Sequence, residues 1–297
     1  MNHLQSLRLE KAKPISRRLR GYKVLVAKGY FEPPQTSKVQ LFIRELNALG
    51  LNTQAFPVNT TDSVEKNAQL ISEMLEQEIT QGHKLIVAGA SKGSAELYGA
   101  LALLNQRRPE LFQQGKRGGI AAVLSISGTL RGSFLVDWAI GLLPYQLVRL
   151  VMVMEAKETG VNLTEVMPGL GSQSTEYLKE FFAKKAAYLP QSLPFFDVVG
   201  APNIEAVYKP GFVSELRESL LDTGWFPRHT ASDGMVSFPN MVTPDSWARE
   251  NYQIVMNANH PILDGDYHGN SMEEQESRRL VLEAFFQAIA DRIEAKF

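Results

Sequence analysis

The chain has 297 residues, 44% of them hydrophobic. That is enough for one large domain, or one with a cap, burying about three quarters of the surface its unfolded chain exposes. With 31 Lys and Arg against 32 Asp and Glu the formal charge is −1, so no global field draws polyanions or a membrane surface, and no nucleic-acid partner is expected. The absence of cysteine excludes disulfides, thiolate metal sites and cysteine nucleophiles.

The first stretch, residues 1–21, is a basic arm. Arg8, Lys11, Lys13, Arg17, Arg18, Arg20 and the following Lys23 face a single acid, Glu10, and charge runs of this kind are expected to be solvated. The arm lacks the apolar core of a secretory signal, which points to a cytoplasmic protein or to signal-independent export.

The main domain is expected over residues 22–297. YKVLVAKG at 22–29 reads as a strand and TSKVQLFIRELNALG at 36–50 as a helix ending at Gly50. LNTQAFPV at 51–58 alternates like a strand. In SVEKNAQLISEMLEQEI at 63–79, Val64, Ala68, Ile71, Leu75 and Ile79 fall on one helical face. HKLIVAGA at 83–90 is a strand apolar through its centre, as a strand covered on both sides of a parallel sheet should be, with its helix at 94–105. GGIAAVLSISG at 118–128, LPFFDVVG at 193–200 and YQIVM at 252–256 supply further strands. The last helix runs from about Met272 to Lys296 behind the Ser271-Met272-Glu273-Glu274 capping box. This β-α alternation predicts a doubly wound, mostly parallel α/β sheet.

Some sixty residues between the fourth and fifth strands, about 134–190, have no strand character and form a candidate helical cap. FLVDWAIGLLPYQLVRLVMVM at 134–154 is the most apolar stretch. Asp137, Gln146 and Arg149 interrupt it and Pro144 would break it, so two short helices are expected there rather than a membrane span. The cap includes a helix at 174–189.

The turn VAGASKGSAE at 87–96 admits two chemistries. As G-x-S-x-G it is a strand-to-helix turn that presents Ser91 as a nucleophile. As a glycine-rich phosphate turn it would cradle a dinucleotide. The second reading fits poorly: two β-α units precede the turn, Ala95 stands where a third glycine is needed, and none of the nine tyrosines has a lysine four residues on. A tight turn without chemistry remains the bland alternative.

VLVAKGY at 24–30, VAGASKGS at 87–94, LSISGTLRGS at 124–133 and SDGMVS at 232–237 together resemble, in order, segments of the lipase-like branch of the α/β-hydrolases. The resemblance covers roughly residues 22–133 and 193–270 and implies an α/β-hydrolase fold and a catalytic order Ser, acid, His. A serine hydroxyl needs a histidine to take its proton and an acid to orient that histidine. After Ser91 the acid is expected at Asp233, in a Ser-Asp-Gly turn, with Asp222 as runner-up. His3 lies in the arm, His83 precedes the nucleophile strand, and His229 precedes the acid. His268, just before the last helix, is favoured over His260, which stays in contention. The oxyanion donors implied are the backbone N–H of Lys92 and that of Tyr30, where Lys28 replaces the family's frequent histidine. The Lys92 side chain is expected at the site rim or in solvent.

These residues imply a serine esterase or lipase without cofactor or metal, acting on a small-molecule ester or lipid. Phe134, Leu135, Trp138, Ile140, Leu142, Leu143 and Leu147 are candidates to contact an acyl chain, with ordinary core packing as the alternative. An acyltransferase, a thioesterase, or a catalytically silent binding protein would share the same pattern.

Overall fold

A computed structural model describes residues 14–30, 32, 38–112, 119–142, 146, 148, 166–200, 236, 238–256 and 272–296. Six strands form one sheet: β1 (Tyr22–Ala27), β2 (Asn52–Ala55), β3 (Lys84–Ala90), β4 (Gly119–Ile126), β5 (Pro194–Gly200) and β6 (Glu250–Met256). Their order is β2-β1-β3-β4-β5-β6, and every pair is parallel. All carboxyl ends therefore share one edge of the sheet, and β3, which leads to Ser91, lies inside it.

The helices in chain order are α1 (Ile15–Arg18), α2 (Lys38–Ala48), α3 (Val64–Thr80), α4 (Lys92–Arg107), α5 (Phe134–Leu142), α6 (Val166–Gly171), α7 (Thr175–Lys185), α8 (Phe238–Met241) and α9 (Met272–Lys296). Because successive strand residues point to opposite faces, the core divides in two. Val24, Val26, Ile86, Ala88, Leu124 and Phe196 pack with α1, α2 and α9. Leu25, Ala27, Leu85, Val87, Val123 and Phe195 pack with α3, α4 and α7. This is the doubly wound arrangement expected from the β-α alternation. The five α3 residues placed on one face by spacing, Val64, Ala68, Ile71, Leu75 and Ile79, are all buried, and Ser63 caps that helix by accepting the Lys66 N–H at 3.3 Å.

The end of the basic arm is packed rather than solvated. Ile15 and Leu19 are buried, and the Arg18 guanidinium donates to Gln287 Oε1 at 2.6 Å, Asp291 Oδ1 at 2.6 Å and Glu294 Oε1 at 3.0 Å on α9. In the apolar stretch, α5 packs through Val136 against Leu170 of α6, with Val148, Met167 and Tyr30 in the same cluster. Asp137, the acid that interrupts this stretch, accepts the Thr175 N–H at 2.8 Å and the Thr175 hydroxyl at 2.5 Å, tying α5 to the start of α7. Most of the expected second helix, with Pro144, lies outside the described residues. No helix among the described residues is long and apolar enough to cross a membrane.

One buried acid links the far strands to α4. Asp197 of β5 accepts the Thr243 N–H and the Thr243 hydroxyl, each at 2.8 Å, and lies 3.4 Å from the Tyr98 hydroxyl. Thr243 Oγ1 and Tyr98 share a 2.6 Å hydrogen bond, and Asn251 of β6 donates to the Thr243 carbonyl at 2.9 Å. Burial pushes the Asp197 carboxyl from 3.8 to about 6, against the opposing pull of the bonds from Thr243. The folded pKa lies above the unfolded one, so the two states differ in protonation between these values and stability falls as pH rises through them. Urea unfolding of the wild type and Asp197→Asn should show the wild type losing about 2 kcal/mol relative to the variant between pH 4 and pH 7; a pH-independent difference would contradict the assignment.

Candidate active site

Ser91 stands between the end of β3 and the start of α4 with φ +52° and ψ −124°. An L-residue holds such a backbone only where the surroundings enforce it, at a cost of order 1–3 kcal/mol. The enforcing contacts are visible. The Ser91 N–H donates to the Ile126 carbonyl at 2.9 Å, and the Ser91 carbonyl accepts from Ser94 N at 3.0 Å and Thr129 N at 3.2 Å. Both glycines of the motif are required by space: a Cβ on Gly89 would lie 2.6 Å from Ser94 N, and one on Gly93 would overlap the Ala27 and Lys28 carbonyl oxygens. The small residues let β1, β3 and α4 approach backbone to backbone, and the turn lifts the serine to the carboxyl edge of the sheet.

The loop after β1 crosses the same point. A Cβ on Gly29 would sit 3.3 Å from Ser91 Cβ, so the backbone leading into Tyr30 runs against the serine. Tyr30 packs under α5 and α6; burial raises its phenol, opposed by a hydrogen bond with the Leu170 backbone. Lys28 is buried, and burial pulls its ammonium down against the opposing field of Glu32. Glu32 is buried too, and its carboxylate accepts the Val39 N–H at 3.2 Å. Lys92 is the first residue of the 16-residue α4, where backbone N–H groups lack helical acceptors and the helix dipole favours negative charge.

The Lys92 side chain departs from expectation. It does not reach the rim or solvent; it is fully buried, its ammonium paired with Glu96 and donating to the Thr60 carbonyl at 3.2 Å. Glu96 also accepts from Asn67 Nδ2 at 2.8 Å. Burial pushes the Glu96 carboxyl up, and Lys92 and Asn67 pull it back. A lysine after a nucleophile turn reads as surface by type alone, but every residue from Lys92 to Ala102 of α4 is buried, so its first turn has no solvent face. The four-residue spacing of Lys92 and Glu96 was the signal in the sequence.

The other expected residues divide by position. Asp233 and His268 lie outside the described residues, as do Asp222, His3, His229 and His260. In the chain Asp222, His229 and Asp233 follow β5, and His260 and His268 follow β6; the carboxyl ends of both strands lie on the edge of the sheet that carries Ser91. His83 lies at the opposite edge, exposed, with Nδ1 2.7 Å from Glu78 Oε2. Among the described residues no cluster of His, Asp and Glu could hold a metal ion.

No protein-family model and no curated protein matches the chain. Solved structures do. The metagenomic carboxyl esterase MGS0156 is 16% identical, with 91% of this chain and 76% of that one aligned at a TM-score of 0.62. The mature lipase BlEst2 from Bacillus licheniformis is 16% identical, covering 87% of this chain and 91% of that one at 0.56. Phospholipase PlaB from Legionella pneumophila, in complex with thio-NAD, is 10% identical, covering 92% and 62% at 0.52. Likeness of this kind shows the shared fold.

The packing at the turn makes opposite predictions for two glycines. Gly93→Ala should lower the thermal midpoint by several degrees, because a methyl group must displace the β1 carbonyls. Gly141→Ala, with nothing within 4 Å of the added Cβ, should leave the midpoint unchanged or raise it, as alanine is favoured over glycine in a helix by about 1 kcal/mol. Differential scanning calorimetry of the two variants checks both.

Proposed function

We propose that this chain, built on the α/β-hydrolase fold, is a serine hydrolase that cleaves carboxylic esters with apolar acyl groups. The observation that carries the reading is the Ser91 backbone, strained at φ +52° and packed between β1, β3 and α4 at the carboxyl edge of the sheet. Strain of this kind persists where it serves a site, and here it presents a hydroxyl beside the start of a long helix.

The proposed route is acyl transfer in two halves. Ser91 Oγ attacks the ester carbonyl carbon while His268 takes its proton and Asp233 holds the imidazole in the required tautomer. The tetrahedral oxyanion accepts hydrogen bonds from the Lys92 and Tyr30 N–H groups. Collapse expels the alcohol, which takes the proton from His268. Water, deprotonated by His268, then attacks the acyl-serine; collapse breaks the bond to Ser91 Oγ, which takes the proton back from His268, and the acid leaves. No step uses a metal or a cofactor.

An apolar acyl group is supported by what borders Tyr30. The α5–α6 contact lies next to the loop that meets Ser91, and Ile140 of α5 remains 46% exposed. The proposed cap over residues 134–190 would cover a chain entering from that side. Three structures of like fold with a TM-score above 0.5 are named as a carboxyl esterase, a lipase and a phospholipase.

A fluorophosphonate probe should label the wild type and not Ser91→Ala; no labelling of either overturns the reading. His268→Ala and Asp233→Asn should each lower kcat on a nitrophenyl ester by at least about 10³-fold, with His260→Ala close to wild type. Loss in His260→Ala and retention in His268→Ala would reassign the base.

A further inference from the structure

We propose that the buried Lys92 ammonium is a positioning device that joins the two segments carrying the oxyanion donors, and so sets the catalytic rate without contacting substrate. The inference rests on the serine-hydrolase reading and adds to it a role for a fully buried side chain.

Three contacts define the role. The ammonium pairs with Glu96 one turn along α4, with both side chains fully buried. It donates to the Thr60 carbonyl at 3.2 Å, in the loop between β2 and α3. It also lies 5.9 Å from the centroid of the Tyr30 ring, within the reach of a cation–π attraction. Lys92 contributes one proposed donor through its own N–H, and its side chain reaches the residue that contributes the other. The Thr60 hydroxyl, donating to the Glu32 carbonyl at 3.2 Å, closes the link between that loop and the Tyr30 segment.

The surroundings hold this hub from outside. Asn67 Nδ2 bonds both Glu96 and the Asn59 carbonyl, each at 2.8 Å. Gly169 of α6 packs so closely on the Thr61 carbonyl and the Tyr30 ring that a Cβ there would overlap the first and come 2.8 Å from the second. A buried ion pair is a weak source of stability, because desolvation offsets most of the attraction, and apolar replacements of like volume often fold as well. Its fixed geometry is what an apolar pair would not reproduce. Oxyanion donors act by being in place before charge develops, and small displacements of such groups cost large factors in rate.

The test separates geometry from stability. Lys92→Met with Glu96→Met removes both charges while keeping a filled interior. It should keep a thermal midpoint close to wild type, lower kcat on nitrophenyl butyrate about ten- to hundredfold, and leave KM within about twofold. Binding of a trifluoromethyl ketone, whose hemiketal oxyanion fills the same hole, should weaken in step with kcat. If the double variant does not fold, Glu96→Gln, nearly isosteric, is measured instead: it should lower the thermal midpoint, because Lys92 loses its counter-charge, and lower kcat per folded chain about ten- to hundredfold with KM within about twofold. Variants that keep the wild-type kcat, or that lose kcat only in proportion to lost folded protein, overturn the proposal while leaving the hydrolase reading intact. A wild-type chain that neither turns over ester nor takes a fluorophosphonate overturns both.

Discussion

The crossing of β3 into α4 at Ser91 is the contact on which the rest of the site depends. Gly89 admits the first turn of α4, Gly93 admits the β1 carbonyls, and Gly29 brings the following loop to the serine. Three backbone segments meet where side chains would otherwise hold them apart. The strain at Ser91, of order 1–3 kcal/mol, is offset by burial around it. Leu97, Tyr98, Leu101 and Leu104 of α4 are fully covered, and each large side chain contributes about 1.5–3 kcal/mol when removed from water.

Two buried polar networks flank that helix and give it an orientation. On one side Lys92 and Glu96 hold the loops after β1 and β2; on the other Tyr98 meets Asp197 and Thr243, which fix β5 and the segment leading to β6. The segments proposed to bring Asp233 and His268 depart from the ends of those two strands. Removing one partner of the Lys92–Glu96 pair costs about 3–5 kcal/mol, since the other charge is left uncompensated, and leaving a buried polar group of the Asp197 network without its partner costs about 1–3 kcal/mol. Both networks therefore penalise displacement of α4 more steeply than apolar packing alone, and Ser91 moves with α4.

Much of this was legible in the sequence because it is local. The α3 face followed from spacing, the strands from apolar runs between turn residues, and the GASKG turn from its place between a strand and a helix. What failed was set by partners far away in the chain. Arg18 reads as one of a solvated basic run, yet its acids are Asp291 and Glu294, more than 270 residues distant. Asp137 reads as a break in an apolar stretch, and its partner Thr175 lies 38 residues on. Lys92 reads as surface, although α4 is buried all round from Lys92 to Ala102. Asp197 shows only as one acid in an apolar strand. The Ser, acid, His order supports Asp233 and His268 by sequence position alone.

The central claim is that the strained serine forms a covalent acyl intermediate. Its most direct test is trapping that intermediate: rapid mixing with a nitrophenyl ester, acid quench, trypsin digestion and mass spectrometry. The account predicts a release burst of about one nitrophenol per chain and the acyl mass on the tryptic peptide Leu85–Lys92, which contains Ser91 as its one hydroxyl residue. Ester turnover without a burst, or with the acyl group on another peptide, would contradict it.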